Sequence, residues 1–215
     1  MKTAYFFSGF DAAGFPEGIA RRLREDIPVR GMLLFIASSP AGYEKSEYYL
    51  NGNKRWFEKA GIVFKEYRLL DDRIDADTAR GLIDTASCIL LMGGDTLAQF
   101  SHIKTAGLLD AIRASNAVVA GISAGAINMG RTAICTKDDY YPETAVYDGI
   151  GIADITVEPH FSPDNSEVIS ELRAHTCRCV FGMCDGSAII LRGGKISYIG
   201  EIYKVDFNAV EKISE

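Results

Sequence analysis

The chain has 215 residues, of which 47% are hydrophobic and 24% charged, and its net charge is −6. That balance is ordinary for a globular chain and argues against the clustered basic face of a nucleic-acid binder. No stretch approaches the roughly 20 apolar residues of a membrane span, and the first apolar run is interrupted too soon for a signal-peptide core.

The apolar runs alternate with helical patterns. Residues 4–9 read as a strand ending at a glycine, and 15–26 as an amphipathic helix with Pro16 in its first turn. Residues 31–39 form a second buried strand, 43–61 a helix stopped by Gly61, and 62–70 a strand nearer an edge. A helix over 75–86 carries acidic residues at its start, where the dipole favours them. Residues 87–96 run as a strand into a glycine turn. One or two short helices fill 97–115, and 116–123 is another strand. Beyond it, 135–151 reads as a long tyrosine-rich loop, 153–160 as a strand and 164–176 as a helix. Short strands around a "RGGK" hairpin turn occupy 179–205. Strand and helix in alternation predict an α/β three-layer sandwich with a mostly parallel central sheet. We expect one domain over 1–215, with a core large enough to need no staple.

The cysteines Cys88, Cys135, Cys177, Cys179 and Cys184 are odd in number and irregular in spacing. Without an export signal they read as free thiols in a reducing cytoplasm. Their spacing does not make a four-ligand metal set, so neither metal nor organic cofactor is expected.

"GISAG" at 121–125 matches the G-x-S-x-G elbow in which a strand turns sharply into a helix. The small residues let neighbouring chain pass close to the turn. Ser123 is the candidate nucleophile, and the N–H of Ala124 a candidate oxyanion donor. Carboxyl ends of adjacent parallel strands share one crevice, so the turn at Gly93 and Gly94 is the second candidate donor. That turn lacks the pattern of a nucleotide-binding loop. A serine nucleophile needs a base. His102 and His175 lie on helices, whereas His160 ends a strand and is the candidate base. Asp185, before a glycine at another strand end, is the candidate third member; Asp138, Asp139 and Glu158 are its rivals. The order Ser, His, Asp differs from the Ser, Asp/Glu, His of the α/β-hydrolases.

Taken in order, "LMGGDTLAQF", "GISAGA", "TKDDYYP", "VEPHFS" and "GMCDGSAI" resemble the motif set of the peptidase E and cyanophycinase family of serine peptidases. The resemblance implies a class I glutamine-amidotransferase-like, flavodoxin-like architecture, with Ser123 as nucleophile, His160 as base and the oxyanion turn at Gly93 and Gly94. The family usually has a glutamate where this chain has Asp185, and Asp138 matches another acidic position of its pattern. The segment after the histidine is short here. Arg173 is available in it, but a preference for an N-terminal aspartate does not carry over. A serine at the elbow argues against a true glutamine amidotransferase.

The expectation is a cytoplasmic serine hydrolase, most simply a peptidase acting on small peptides, with no nucleic-acid or membrane partner and a homo-oligomer as an open option. An esterase or amidase on the same residues, and a catalytically silent ligand-binding relative, are the competing readings. The pocket is expected between the 136–150 loop and the 40–50 region, with Tyr43, Tyr140, Tyr141 and Tyr147 either facing substrate or packed. Asp95, Thr96 and Arg173 are further candidates for substrate contact.

Overall fold

A computed structural model describes residues 2–176 and 178–214; Cys177, read above as a free thiol, lies outside them. The chain runs β1 (Thr3–Phe7), α1 (Glu17–Asp26), β2 (Met32–Ile36), α2 (Tyr43–Lys59), β3 (Glu66–Leu70), α3 (Ala76–Thr85) and β4 (Cys88–Leu91). It continues through α4 (Thr96–Thr105), α5 (Leu109–Ala114), β5 (Val118–Ile122), α6 (Ala124–Met129), β6 (Thr132–Cys135), β7 (Ala145–Asp148) and β8 (Val157–Pro159). It closes with α7 (Ser166–His175), β9 (Val180–Met183), β10 (Ala188–Arg192), β11 (Lys195–Ile199), β12 (Ile202–Val205) and β13 (Val210–Ser214).

The central sheet has the order β11-β10-β1-β5-β4-β2-β3. Its five strands from β1 to β3 are mutually parallel, and β10 and β11 are added antiparallel. Successive side chains of a strand point to opposite faces. Phe6, Leu34, Leu91 and Val119 accordingly enter one core with residues of α3, α5 and α6. Phe7, Phe35, Leu90 and Ala120 enter the other, against α1 and α2. Every residue of β2, β4 and β5 is buried, as strands covered on both faces require. The expected α/β sandwich with a mostly parallel sheet is the fold observed.

A second sheet, β13-β12-β9-β8, stands beside the first, and β6 pairs with β7 in a separate hairpin. Three expectations change here. The 135–151 stretch is not one loop, because Ala145–Asp148 returns as β7. The strand expected over 153–160 shortens to Val157–Pro159, with Ala153 in an isolated bridge to Gly130. The strand expected from 62 begins at Glu66, since Ile62 N–H still bonds back to Phe57 O at the end of α2. The "RGGK" turn holds as read: Gly193 and Gly194 have φ of 60° and 82°, the double positive φ of a tight hairpin.

The strand order sets the site. Strands β1, β5, β4 and β2 are neighbours, so the residues just beyond their carboxyl ends share one edge. Those residues are Ser8 and Gly9, Ser123, Gly93 and Gly94, and Ser38.

Candidate active site

Ser123 sits between β5 and α6 with φ 50° and ψ −111°, a conformation that non-glycine residues rarely adopt. Such a residue costs about 1–3 kcal/mol and persists only where its surroundings hold it. Here its N–H bonds Phe7 O at 3.0 Å, and its carbonyl accepts from Ile127 N–H at 3.0 Å. The flanking glycines serve close packing. A Cβ on Gly121 would lie 2.5 Å from the backbone of Gly125, and one on Gly125 would lie 2.2 Å from Leu91 O. No side chain fits at either place.

His160 follows β8 and also has a positive φ, 55°. Its Nε2 lies 2.9 Å from Ser123 Oγ, and its Nδ1 lies 2.7 Å from Asp185 Oδ1. A carboxylate only accepts, so Nδ1 carries the proton and Nε2 is free to accept from the serine; the tautomer is assigned from these partners. The pair is open to solvent, with 52% of the His160 side chain and 64% of the Asp185 side chain exposed. Exposed charges are screened, so the contact fixes the orientation of the ring more than it stabilises charge.

Ser8 carries no signal of its own in the sequence. Fully buried, it accepts the His160 N–H on its Oγ at 2.8 Å, and the same oxygen lies 2.9 Å from both Met183 O and Asp185 Oδ1. One hydroxyl at the end of β1 thereby ties the backbone of one residue to the carboxylate of the other. Gly9 is equally tight: a Cβ there would lie 2.7 Å from His160 Cε1 and 2.7 Å from Asp185 Oδ1. The only signal in the sequence was a strand ending in Ser-Gly.

The turn after β4 abuts the serine. A Cβ on Gly93 would lie 3.4 Å from Ser123 Cβ, and Gly94 has φ 134°. Ser38 Oγ donates to Gly93 O at 2.6 Å, and the buried Gln99 side chain donates to Met92 O at 3.0 Å. Asp95 caps α4 by accepting Ala98 N–H at 2.8 Å.

The remaining candidates lie elsewhere. Glu158 is buried two residues before His160, but its Oε1 accepts from Thr136 Oγ1 at 3.0 Å, and Oε2 has no hydrogen-bond partner among the described residues. Burial pushes its pKa up to about 7. Asp138 instead accepts the N–H groups of Tyr140 and Tyr141 within its own turn, and Asp139 is exposed beside it. Asp185, not these rivals, stands at the far nitrogen of His160.

Tyr140 and Tyr141 both donate their hydroxyls to Asp95, at 3.1 and 2.7 Å. The two tyrosines and Asp95 therefore satisfy one another. Thr96 is buried, and its carbonyl accepts from Asn128. Tyr147 packs on Phe100 and donates to Asn128, while Tyr43 stacks under Arg73. Arg173 donates to Asp206 O at 2.9 Å. His102 is half-buried on α4, and His175 bonds its own helix through Glu171 O.

A cavity of about 430 Å³ opens beside Ser123 and His160. Of the two regions expected to wall it, only 40–50 does so, through Lys45 and Tyr49; the 136–150 loop is not among its lining residues. Asn53 and Trp56 extend the same face of α2, and Phe10 packs edge-on against Trp56 at 5.7 Å.

A hydroxyl at a strained strand–helix turn, an imidazole and a carboxylate in line have the geometry of a nucleophile–base–acid site. Comparison with known proteins gives the family. The sequence model of peptidase family S51 matches residues 30–199, and the chain belongs to that family. Among solved structures, the chain is similar to a peptidase from an acI-B1 Actinobacterium, with TM-score 0.75 and 18% identity over 100% of this chain and 94% of that one. It is also similar to a structure described as a peptidase E protein from Listeria monocytogenes EGD-e, with TM-score 0.70 and 19% identity over 93% of this chain and 98% of that one. Both show the same fold. A comparison with curated proteins found no match.

Proposed function

We propose that this S51-family protein is a serine peptidase that cleaves small peptides through an acyl-enzyme on Ser123. The observation that carries the reading is the unbroken line of hydrogen bonds from Ser123 Oγ through His160 to Asp185, at 2.9 and 2.7 Å. Ser123 attacks the scissile carbonyl and passes its proton to His160 Nε2. The Nδ1–H to Asp185 holds the ring in the tautomer that can accept. The N–H of Ala124 and of the Gly93–Gly94 turn receive the oxyanion. The imidazolium then protonates the leaving amine, and water attacks the acyl-enzyme with His160 again as base.

The adjoining cavity supports a small substrate. Phe10 and Trp56 give it an apolar wall, and Lys45 offers a cation for a carboxylate. Arg173, turned to Asp206, is not among its lining residues, so no preference for an N-terminal aspartate is part of the proposal. The test is Ser123→Ala against a panel of dipeptides, with labelling by a fluorophosphonate as a second readout. Wild type should cleave and label at Ser123, and the variant should do neither. Equal cleavage by both would refute the mechanism, and cleavage of simple esters but no peptide would make the protein an esterase.

A further inference from the structure

We infer that Ser38 is a positioning residue for the oxyanion site: its hydroxyl fixes the Gly93–Gly94 peptide so that the Gly94 N–H faces Ser123. This rests on the proposed serine mechanism and adds a residue to it. A trans peptide is planar, and its C=O and N–H point in opposite directions. The orientation of one therefore fixes the other. Strand β4 lies between β2 and β5 in the sheet. Ser38 stands beyond the end of β2, and its Oγ donates to Gly93 O at 2.6 Å. The carbonyl thus points to the β2 side. The N–H of the same peptide, which belongs to Gly94, points to the β5 side, where Ser123 stands.

The turn needs such a restraint. Gly94 has φ 134°, which a glycine occupies without penalty, and glycine is also free to leave it. A reversed peptide would turn the Gly93 carbonyl toward Ser123 and replace a donor by an acceptor where negative charge develops. Ser38 opposes that reversal, and it is itself a buried residue. Gly94 is seated against the same hydroxyl, because a Cβ there would lie 2.4 Å from Ser38 Oγ.

The test measures fluorophosphonate labelling of Ser123, which needs no known substrate and whose transition state also places negative charge on oxygen. Ser38→Ala should lower the maximal labelling rate by about 10- to 100-fold, short of or equal to the loss of a whole donor, with the half-saturating probe concentration unchanged. Ser38→Cys keeps the shape with a weaker donor and should fall between the two. If Ser38→Ala does not fold, the Ser38→Cys rate alone decides. Rates equal to wild type in the folded variants, or a change only in half-saturation, would overturn the role of Ser38. Absence of labelling in the wild type would instead overturn the serine mechanism and, with it, the role given to Ser38.

Discussion

The Cα of Gly9 lies so close behind the ring of His160 that an added methyl would sit 2.7 Å from Cε1. The same methyl would meet the Asp185 carboxylate at 2.7 Å. Gly9→Ala should therefore push the imidazole off line. Misplacement of a reacting group by about 1 Å costs on the order of 100-fold in rate. We expect that loss in kcat with a melting temperature near that of the wild type, because the displaced groups are exposed. A fully active Gly9→Ala enzyme would show that the ring does not need this seat.

Ser8→Ala acts from the buried side. It leaves the His160 N–H without its acceptor and takes a polar neighbour from Asp185. An unsatisfied buried donor costs about 1–3 kcal/mol. Urea denaturation should show that loss, and peptide cleavage should fall with it, because His160 holds a positive φ only while its backbone is tied. Unchanged stability would mean that water replaces the hydroxyl.

Glu158 makes stability depend on pH. Folding raises its pKa from 4.5 to about 7 by burial, so the folded state holds this proton more tightly than the unfolded chain. Stability is then full at acid pH and declines as pH rises from the lower value through the upper one. Glu158→Gln removes the decline. Above about pH 8 the variant should be more stable than wild type by the order of 3 kcal/mol, and near pH 4 the two should match. Denaturant melts at the two pH values measure the difference.

Gly125→Ala tests the packing of the elbow. Its Cβ would lie 2.2 Å from Leu91 O, a backbone atom inside a fully buried strand. Overpacking a core costs about 1–3 kcal/mol and more where backbone must move. We expect at least 3 kcal/mol here, seen as a lower urea midpoint at unchanged slope.

Trp56→Ala opens a wall of the cavity beside Ser123. The apolar contact it removes is made in ground and transition state alike, so KM should rise and kcat should hold for peptides with a large apolar residue. Peptides built from glycine and alanine should be cleaved as before. A fall in kcat alone would place Trp56 nearer the reacting bond than the cavity implies.

Much of this arrangement is legible in the sequence. The apolar runs before Gly9, Ser38, Gly93 and Ser123 are strands because they are too short and too uniformly apolar for surface helices. Their alternation with helical segments requires parallel pairing. Ser123, His160 and Asp185 each follow such a run, which is why they meet at one edge. Ser8 and Ser38 could not be read in the same way. A serine after a strand is common, and its meaning here depends on which strands become neighbours. The order β1-β5-β4-β2 decides that, and it is a property of the folded sheet. The tyrosine pair, open in the sequence between facing substrate and packing, is hard to read for a related reason. Exposed aromatics near a glycine turn fit a substrate wall, yet the acceptor for both hydroxyls is Asp95, across 45 and 46 residues of chain. The strand β7 is not legible in the sequence because only four residues of it pair, and two of those are exposed.

The two sheets bear on how such a protein is made. Ser123 belongs to the central sheet, whereas His160 and Asp185 flank strands of the second one. His160 lies 37 residues after Ser123, and Asp185 a further 25. A chain synthesised from its amino end exposes the serine well before the ribosome releases its partners. Through that interval Ser123 has neither His160 nor Asp185 beside it, and β10, which pairs with β1, has not yet been delivered. On the proposed mechanism, a nascent chain gains the power to cut its neighbours or itself only once translation has passed Asp185.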